Sequence, residues 1–164
     1  MRGIHTPLLL IAGDHDNTVD YASGARAFYD GAINARRYLL TFRGAGHALG
    51  LGPAPVQMQH NLWDLGWFED AVWRKDRIVA INLHMITAFL DRNVRGDDTR
   101  AAYLDGLVPD SSSGQWTQAP GTPFSAISPG TGDITVWKGF QRRSAEGMEL
   151  LHAEPADPDA KPTH

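Results

Sequence analysis

Two stretches decide the fold class: Leu8-Leu9-Leu10-Ile11-Ala12-Gly13-Asp14-His15-Asp16, and Arg37-Tyr38-Leu39-Leu40-Thr41-Phe42-Arg43-Gly44-Ala45-Gly46-His47. Each is a short apolar run that stops at a glycine-bearing loop with titratable side chains. Leu8 to Ala12 is apolar without alternation, the pattern of a strand covered on both faces. Between the two runs, Tyr21 to Ala32 reads as a helix. Ala22, Ala25, Phe28, Tyr29 and Ala32 fall at helical spacing on one side, and Gly31 and Asn34 are its stop signals. A strand–helix–strand unit of this kind crosses over right-handed and leaves its strands parallel. The expected class is therefore α/β. Parallel strands bring their carboxyl ends, and the loops that follow, to one edge of the sheet, where open α/β sheets build their sites.

Asp16 lies five residues past Ile11, and His47 five residues past Phe42. An acid and an imidazole so placed are candidates for the last two members of a Ser–His–Asp relay. The first member has no counterpart, because no Gly-x-Ser-x-Gly occurs in the 164 residues. Ser23 and Ser144 sit among small or polar residues without that elbow. Asp14, nearer the strand end, is the chief rival to Asp16 as the acid, and Asp20 is a more distant one.

The rest of the chain adds elements without a second site. Residues 50 to 77 are a Gly/Pro-punctuated connection carrying Trp63, Trp67, Phe68 and Trp73, either the wall or cap of a pocket or packing against the sheet. Ile78 to Leu90 is a strong amphipathic helix, ended by Asn93 and Gly96, and Asp97 to Leu104 adds a helical turn or two. His84 lies on the apolar face of that helix, as a satisfied core histidine does. Ser, Gly, Pro and Thr dominate from Pro109 to Asp133, the composition of a long loop. Ile134 to Phe140 and Met148 to His152 read as two short strands, a small antiparallel pair. The expected division is thus a main body over 1–108, a loop over 109–133, a short-strand extension of the same body over 134–152 and a frayed tail over 153–164.

Composition narrows the function classes. The formal charge is −4, and the fifteen Lys and Arg are scattered, so no nucleic-acid-tracking face is expected. The absence of cysteine removes disulfides, thiolate metal sites and a cysteine nucleophile. No run approaches the about 18 apolar residues of a membrane span. The apolar stretch near the start is too short for the core of a signal peptide.

Two clear parallel strands do not make an independently stable sheet, and parallel sheets occur almost only when covered on both faces. The expectation is that further strands come from a missing N-terminal half of the same protein, or from a partner chain.

A strand ending in Gly-x-x-Asp, a helix, and a second strand ending in Gly-x-Gly-His together resemble the C-terminal part of the α/β-hydrolase fold, in which nucleophile, acid and histidine follow in that order. Gly13-Asp14-His15-Asp16 matches the acid turn and Gly44-Ala45-Gly46-His47 the histidine turn. A closer likeness is to the dienelactone-hydrolase-like group and its relatives that act on esters and platelet-activating-factor-type substrates. It is carried by Tyr38-Leu39-Leu40-Thr41-Phe42 leading into Gly46-His47, by Thr87-Ala88-Phe89-Leu90 and by Trp137-Lys138-Gly139-Phe140. The resemblance covers residues 5 to 152. It implies part of a serine-type hydrolase of small-molecule carboxylic esters, with Asp16 as acid and His47 as base. It implies no metal and no cofactor, and leaves the chain inactive by itself. Two other readings stand beside it: a non-catalytic module that completes its sheet with a partner, and a metallohydrolase using Asp14, His15, Asp16 and His47.

Overall fold

The computed structural model describes residues 1–114, 137–140 and 144–156. At its centre is β2 (Arg37–Phe42), flanked on one side by β1 (Leu8–Gly13) and on the other by β3 (Met148–Ala153). β1 and β2 are parallel, with Leu8 opposite Arg37 and Gly13 opposite Phe42. β3 runs antiparallel to β2, Phe42 facing Met148 and Arg37 facing Ala153. The molecule is thus α/β-like: a small mixed three-stranded sheet with helices.

Tyr38 to Phe42 are all buried, as expected of a strand with a neighbour on each side. Their alternation separates two faces. Tyr38, Leu40 and Phe42 face the main core, built with Ile78, Ile81, Met85 and Ala88. These four belong to one long helix, Lys75–Asn93, and recur at the three- and four-residue spacing of a single helical face. Trp73, Leu104, Trp137, Met148 and Leu150 close the same cluster. Thr41 looks to the other side, where its Oγ1 meets the Tyr21 hydroxyl at 2.8 Å. There the chain makes a π-helical turn, Ala22–Arg26, that runs into α1 (Ala27–Gly31). The helix expected over Tyr21 to Ala32 is therefore present but wound wide at its start, where Ser23 and Gly24 are poor helix formers.

The long helix is preceded by α2 (Leu62–Leu65) and is α3 in chain order. α2 is a single turn, capped by the Asn61 side chain accepting from the Asp64 amide. The turns expected over Asp97 to Leu104 form a 3₁₀ segment, Asp98–Tyr103, that packs back on α3.

The C-terminal region departs from expectation. Of the strand expected over 134–140, residues 134–136 lie outside the described residues, and Met148 to Ala153 finds a partner elsewhere. It pairs with the second edge of β2 and becomes the third strand of the sheet described above. Residues 137–140 form a turn instead, Phe140 N donating to Trp137 O and the Trp137 indole donating to Val108 O. The gain is burial: on this edge of β2, Met148 and Leu150 join the core cluster beside Leu40 and Phe42. Of the expected loop, residues 109–114 carry the Asp110–Glu149 bridge and a 3₁₀ turn at Ser111–Ser113. Residues 115–136 lie outside the described residues. Of the tail expected over 153–164, residues 153–156 are held in place. Ala153 ends β3, Glu154 pairs with Arg36, and the Ala156 amide donates to Ile33 O. Residues 157–164 lie outside the described residues. No helix among the described residues is long and apolar enough to cross a membrane.

Candidate active site

The loops after β1 and β2 leave the sheet at one rim and interlock. The His15 amide donates to Ala45 O at 3.0 Å, and the Asp14 amide to Phe42 O at 3.3 Å. Gly13 makes this approach possible: a Cβ there would sit 2.2 Å from Ala45 O and 2.8 Å from Gly46 O. Gly44 serves the same turn with φ of +73°, a conformation that favours glycine.

Within this rim the aspartates divide their work. Asp14 Oδ1 accepts from the Gly44 amide and ties the two loops together. Asp20 binds the Ser23 amide and hydroxyl, at the start of the helical segment. Asp16 is the carboxylate that reaches the imidazole: its Oδ2 lies 2.8 Å from His47 Nδ1. The structure therefore pairs His47 with Asp16 rather than with Asp14 or Asp20, and engages Ser23 elsewhere.

Asp16 is held from behind. Its Oδ1 accepts from the Thr18 and Val19 amides at 2.8 and 2.9 Å, the geometry of an Asx turn. Burial by itself raises the pKa of this carboxyl. The Val19 amide, the His47 ring and the Thr18 amide outweigh it, and the net displacement is downward. A carboxylate only accepts hydrogen bonds, so His47 Nδ1–H is the donor to Asp16 and Nε2 is the ring nitrogen that points outward. Nε2 makes no hydrogen bond among the described residues. The side chain of Asp16 is 12% exposed and that of His47 55%, so the carboxylate is sheltered while the imidazole faces open space.

Three residues that sequence reasoning missed hold the His47 turn in place. Asp70 Oδ2 accepts from the Gly46 amide at 2.7 Å, and its Oδ1 accepts from the Val72 and Trp73 amides. Lys75 Nζ, buried at the first turn of α3, donates to Ala48 O at 2.8 Å and Leu51 O at 3.4 Å. Asn82, two turns on, donates to Leu49 O at 2.9 Å. The 3₁₀ turn His47–Gly50 is thereby clamped to α3. Lys75 did carry a signal, since a cation at a helix N-terminus opposes the macrodipole and calls for other partners.

Two clefts open on His47. One, about 410 Å³, lies toward β1 and is bounded by Ile11, Gly13, Asp16, Val19, Tyr21 and Leu51. The other, about 770 Å³, lies toward α2 and includes Thr18, Gly46, Trp63, Trp67, Asp70 and Val72. The aromatic residues of the connection separate. Trp73 is buried, its indole donating to Arg43 O and its ring meeting Phe42 edge-on at 4.9 Å. Trp63 and Trp67 are 80% and 63% exposed.

Among the described residues, Asp14, His15, Asp16 and His47 do not converge as a ligand set. The His, Asp and Glu side chains close enough to share an ion are Asp105, His152 and Glu154, at the other end of the sheet. Tyr38 and Arg92 already bind Asp105 there, and Arg36 binds Glu154. His84 is partly buried as expected: its Nε2 meets Lys138 O at 3.1 Å, Tyr103 and Phe140 stand edge-on to the ring, and burial lowers its pKa.

No family model, curated protein or solved structure matches this chain.

Proposed function

We propose that the chain supplies the acid and base of a serine-type hydrolase of carboxylic esters, of the α/β-hydrolase kind and nearest to the dienelactone-hydrolase-like group. The observation that carries this reading is the 2.8 Å contact between Asp16 Oδ2 and His47 Nδ1 at a common sheet rim, with Nε2 left unbonded. In such a reaction His47 Nε2 removes the proton of a serine hydroxyl as its oxygen attacks the acyl carbon. It then returns that proton to the departing alcohol. Water repeats the cycle to release the acid. Asp16 holds the imidazole in the required tautomer and stabilises the imidazolium. The serine and the backbone amides of an oxyanion hole would come from polypeptide pairing along the outer edge of β1. That edge bonds to no strand among the described residues, although β1 is almost wholly apolar and only partly buried.

The test is p-nitrophenyl acetate hydrolysis by the chain alone and by an upstream-extended form. No turnover alone, and turnover in the extended form that His47→Ala abolishes, is the expected result. Robust turnover by the chain alone that His47→Ala abolishes would contradict the external nucleophile.

The free edge of β1 also favours a second reading, a non-catalytic module that completes its sheet with a partner chain. It requires a stoichiometric complex with no ester cleavage. Size-exclusion chromatography with light scattering tells the two apart, since a well-folded monomer counts against the module.

A further inference from the structure

The cleft between His47 and α2 has a chemical character of its own. One wall is polar, with His15, Asn17 and Thr18 beside His47. The opposite wall is Leu62, Trp63, Trp67 and Val72, all of them more than half exposed. Exposed apolar side chains grouped around a concavity mark binding sites more often than chance. The segment has not simply failed to pack, because Trp73 is buried in the core and hydrogen-bonded at its end. The cleft of about 770 Å³ falls within the span of small-molecule sites.

Charge narrows the occupant. No Lys or Arg lines the cleft, while Glu69 and Asp70 both do. Three backbone amides bind Asp70, and Glu69 has no ion pair among the described residues. A carboxylate or phosphate placed here would meet two acids and no cation. A neutral alkyl chain would lie along Leu62, Trp63, Trp67 and Val72, with its polar end toward His47.

We propose that this cleft is an acyl-chain site, taking the linear aliphatic part of a neutral ester between Trp63 and Trp67. The assignment rests on the ester-hydrolase reading, and it names the substrate class: esters of medium-chain or longer aliphatic acids.

Binding needs no nucleophile, so the chain as it stands is titrated with neutral ketones that mimic the ester without reacting, and the indole N–H resonances are followed by NMR. 2-Decanone is expected to shift the Trp63 and Trp67 signals saturably and to leave Trp73 and Trp137 in place. From 2-hexanone to 2-decanone the affinity should rise about threefold per methylene. Decanoate should bind about fivefold or more weakly than 2-decanone, for want of a cation. The exposed pair Trp63→Ala/Trp67→Ala should weaken 2-decanone about tenfold, with the Trp73 signal unmoved as proof of an intact fold. No saturable shift, equal binding of decanoate, or a ketone-independent dimer covering Trp63 and Trp67 in light scattering would overturn the site. Ketone binding with no turnover in any form of the protein supports the site and counts against the hydrolase. His47-dependent turnover indifferent to chain length and to the tryptophan substitutions does the reverse.

Discussion

Histidine and carboxylate meet at both ends of this sheet, to opposite effect. At the rim after β1 and β2, His47 rests on Asp16 alone, and Asp16 is otherwise held only by backbone amides. At the far end, His152 Nε2 lies 3.1 Å from Glu154 and 3.7 Å from Asp105, and its ring stacks on Tyr38 at 4.7 Å. There the carboxylates have side-chain partners. Arg92 and the Tyr38 hydroxyl hold Asp105, and Arg36 holds Glu154. The same pair of residue types is thus an exposed two-residue contact in one place, the one read above as an acid and base, and a cross-link between β2, β3 and residue 105 in the other. What differs is the company each carboxylate keeps. Backbone amides hold one oxygen of Asp16 and leave the other to the imidazole, whereas arginines and a tyrosine absorb the charge of Asp105 and Glu154 into structure.

The difference breaks most sharply in catalysis. In the ester-cleaving form of the protein, His47→Ala should lower kcat by about 10⁴ or more, and Asp16→Asn by about 10³ to 10⁴ through the wrong imidazole tautomer. His152→Ala, read in the same assay, should leave kcat within about twofold, as for any residue remote from the chemistry.

Stability should show the inverse order. Arg92→Leu leaves Asp105 with an unmatched charge in a partly buried setting and should cost about 2–4 kcal/mol in urea unfolding. Tyr38→Phe removes only the hydroxyl on Asp105 and should cost about 1–2 kcal/mol. At the rim, His47→Ala should change stability by no more than about 0.5 kcal/mol. Equal losses at both ends would erase the distinction.

Gly13→Ala tests whether the rim is built by backbone rather than by side chains. The new Cβ meets backbone oxygens that cannot rotate away, so either β1 or the His47 loop must shift. A cost of about 2–4 kcal/mol, with a displaced His47 resonance, is expected. A silent substitution would show that the interlock is slack.

The smallest effect lies in pH dependence, and the two ends fall in different windows. Burial pulls the His152 pKa below the ordinary histidine value, against the raising effect of the hydrogen bond to Glu154. Between the folded and unfolded values the unfolded chain binds more protons. His152 therefore favours folding fully above about pH 6.5 and progressively less below it. Asp16 has a lowered folded pKa, so its contribution is present above about pH 3.9 and is lost only as the pH falls through the folded value. His152→Phe, which keeps the stack on Tyr38, should flatten the urea-midpoint profile between pH 7 and 5. Asp16→Asn should lower the midpoint throughout the range above about pH 4 and lose that deficit as the pH falls below it.

Local pattern made some of this visible in advance. The apolar runs of β1 and β2 and the face of α3 are written into residue spacing, because burial on two faces or on one helical stripe demands those periods. That Asp16 and His47 share a rim follows from parallel strands. That Asp16 rather than Asp14 meets His47 does not, because the two lie in one loop and the path of its backbone, set by the Thr18 and Val19 amides, chooses between them. Asp70 and Lys75 were hidden for a related reason, since each acts on a turn more than twenty residues away.

By itself, then, the sequence determined the strand–helix–strand unit, its parallel sense and the two loops that carry an acid and an imidazole. The tertiary structure alone decided that Met148–Ala153 completes the sheet against β2, that Trp73 enters the core while Trp63 and Trp67 remain on the surface, and which aspartate pairs with the histidine. Periodicity reports how much of a segment is buried. It carries no address for the partner, and the partner is selected by which edge, face or amide remains open once the rest of the chain has packed.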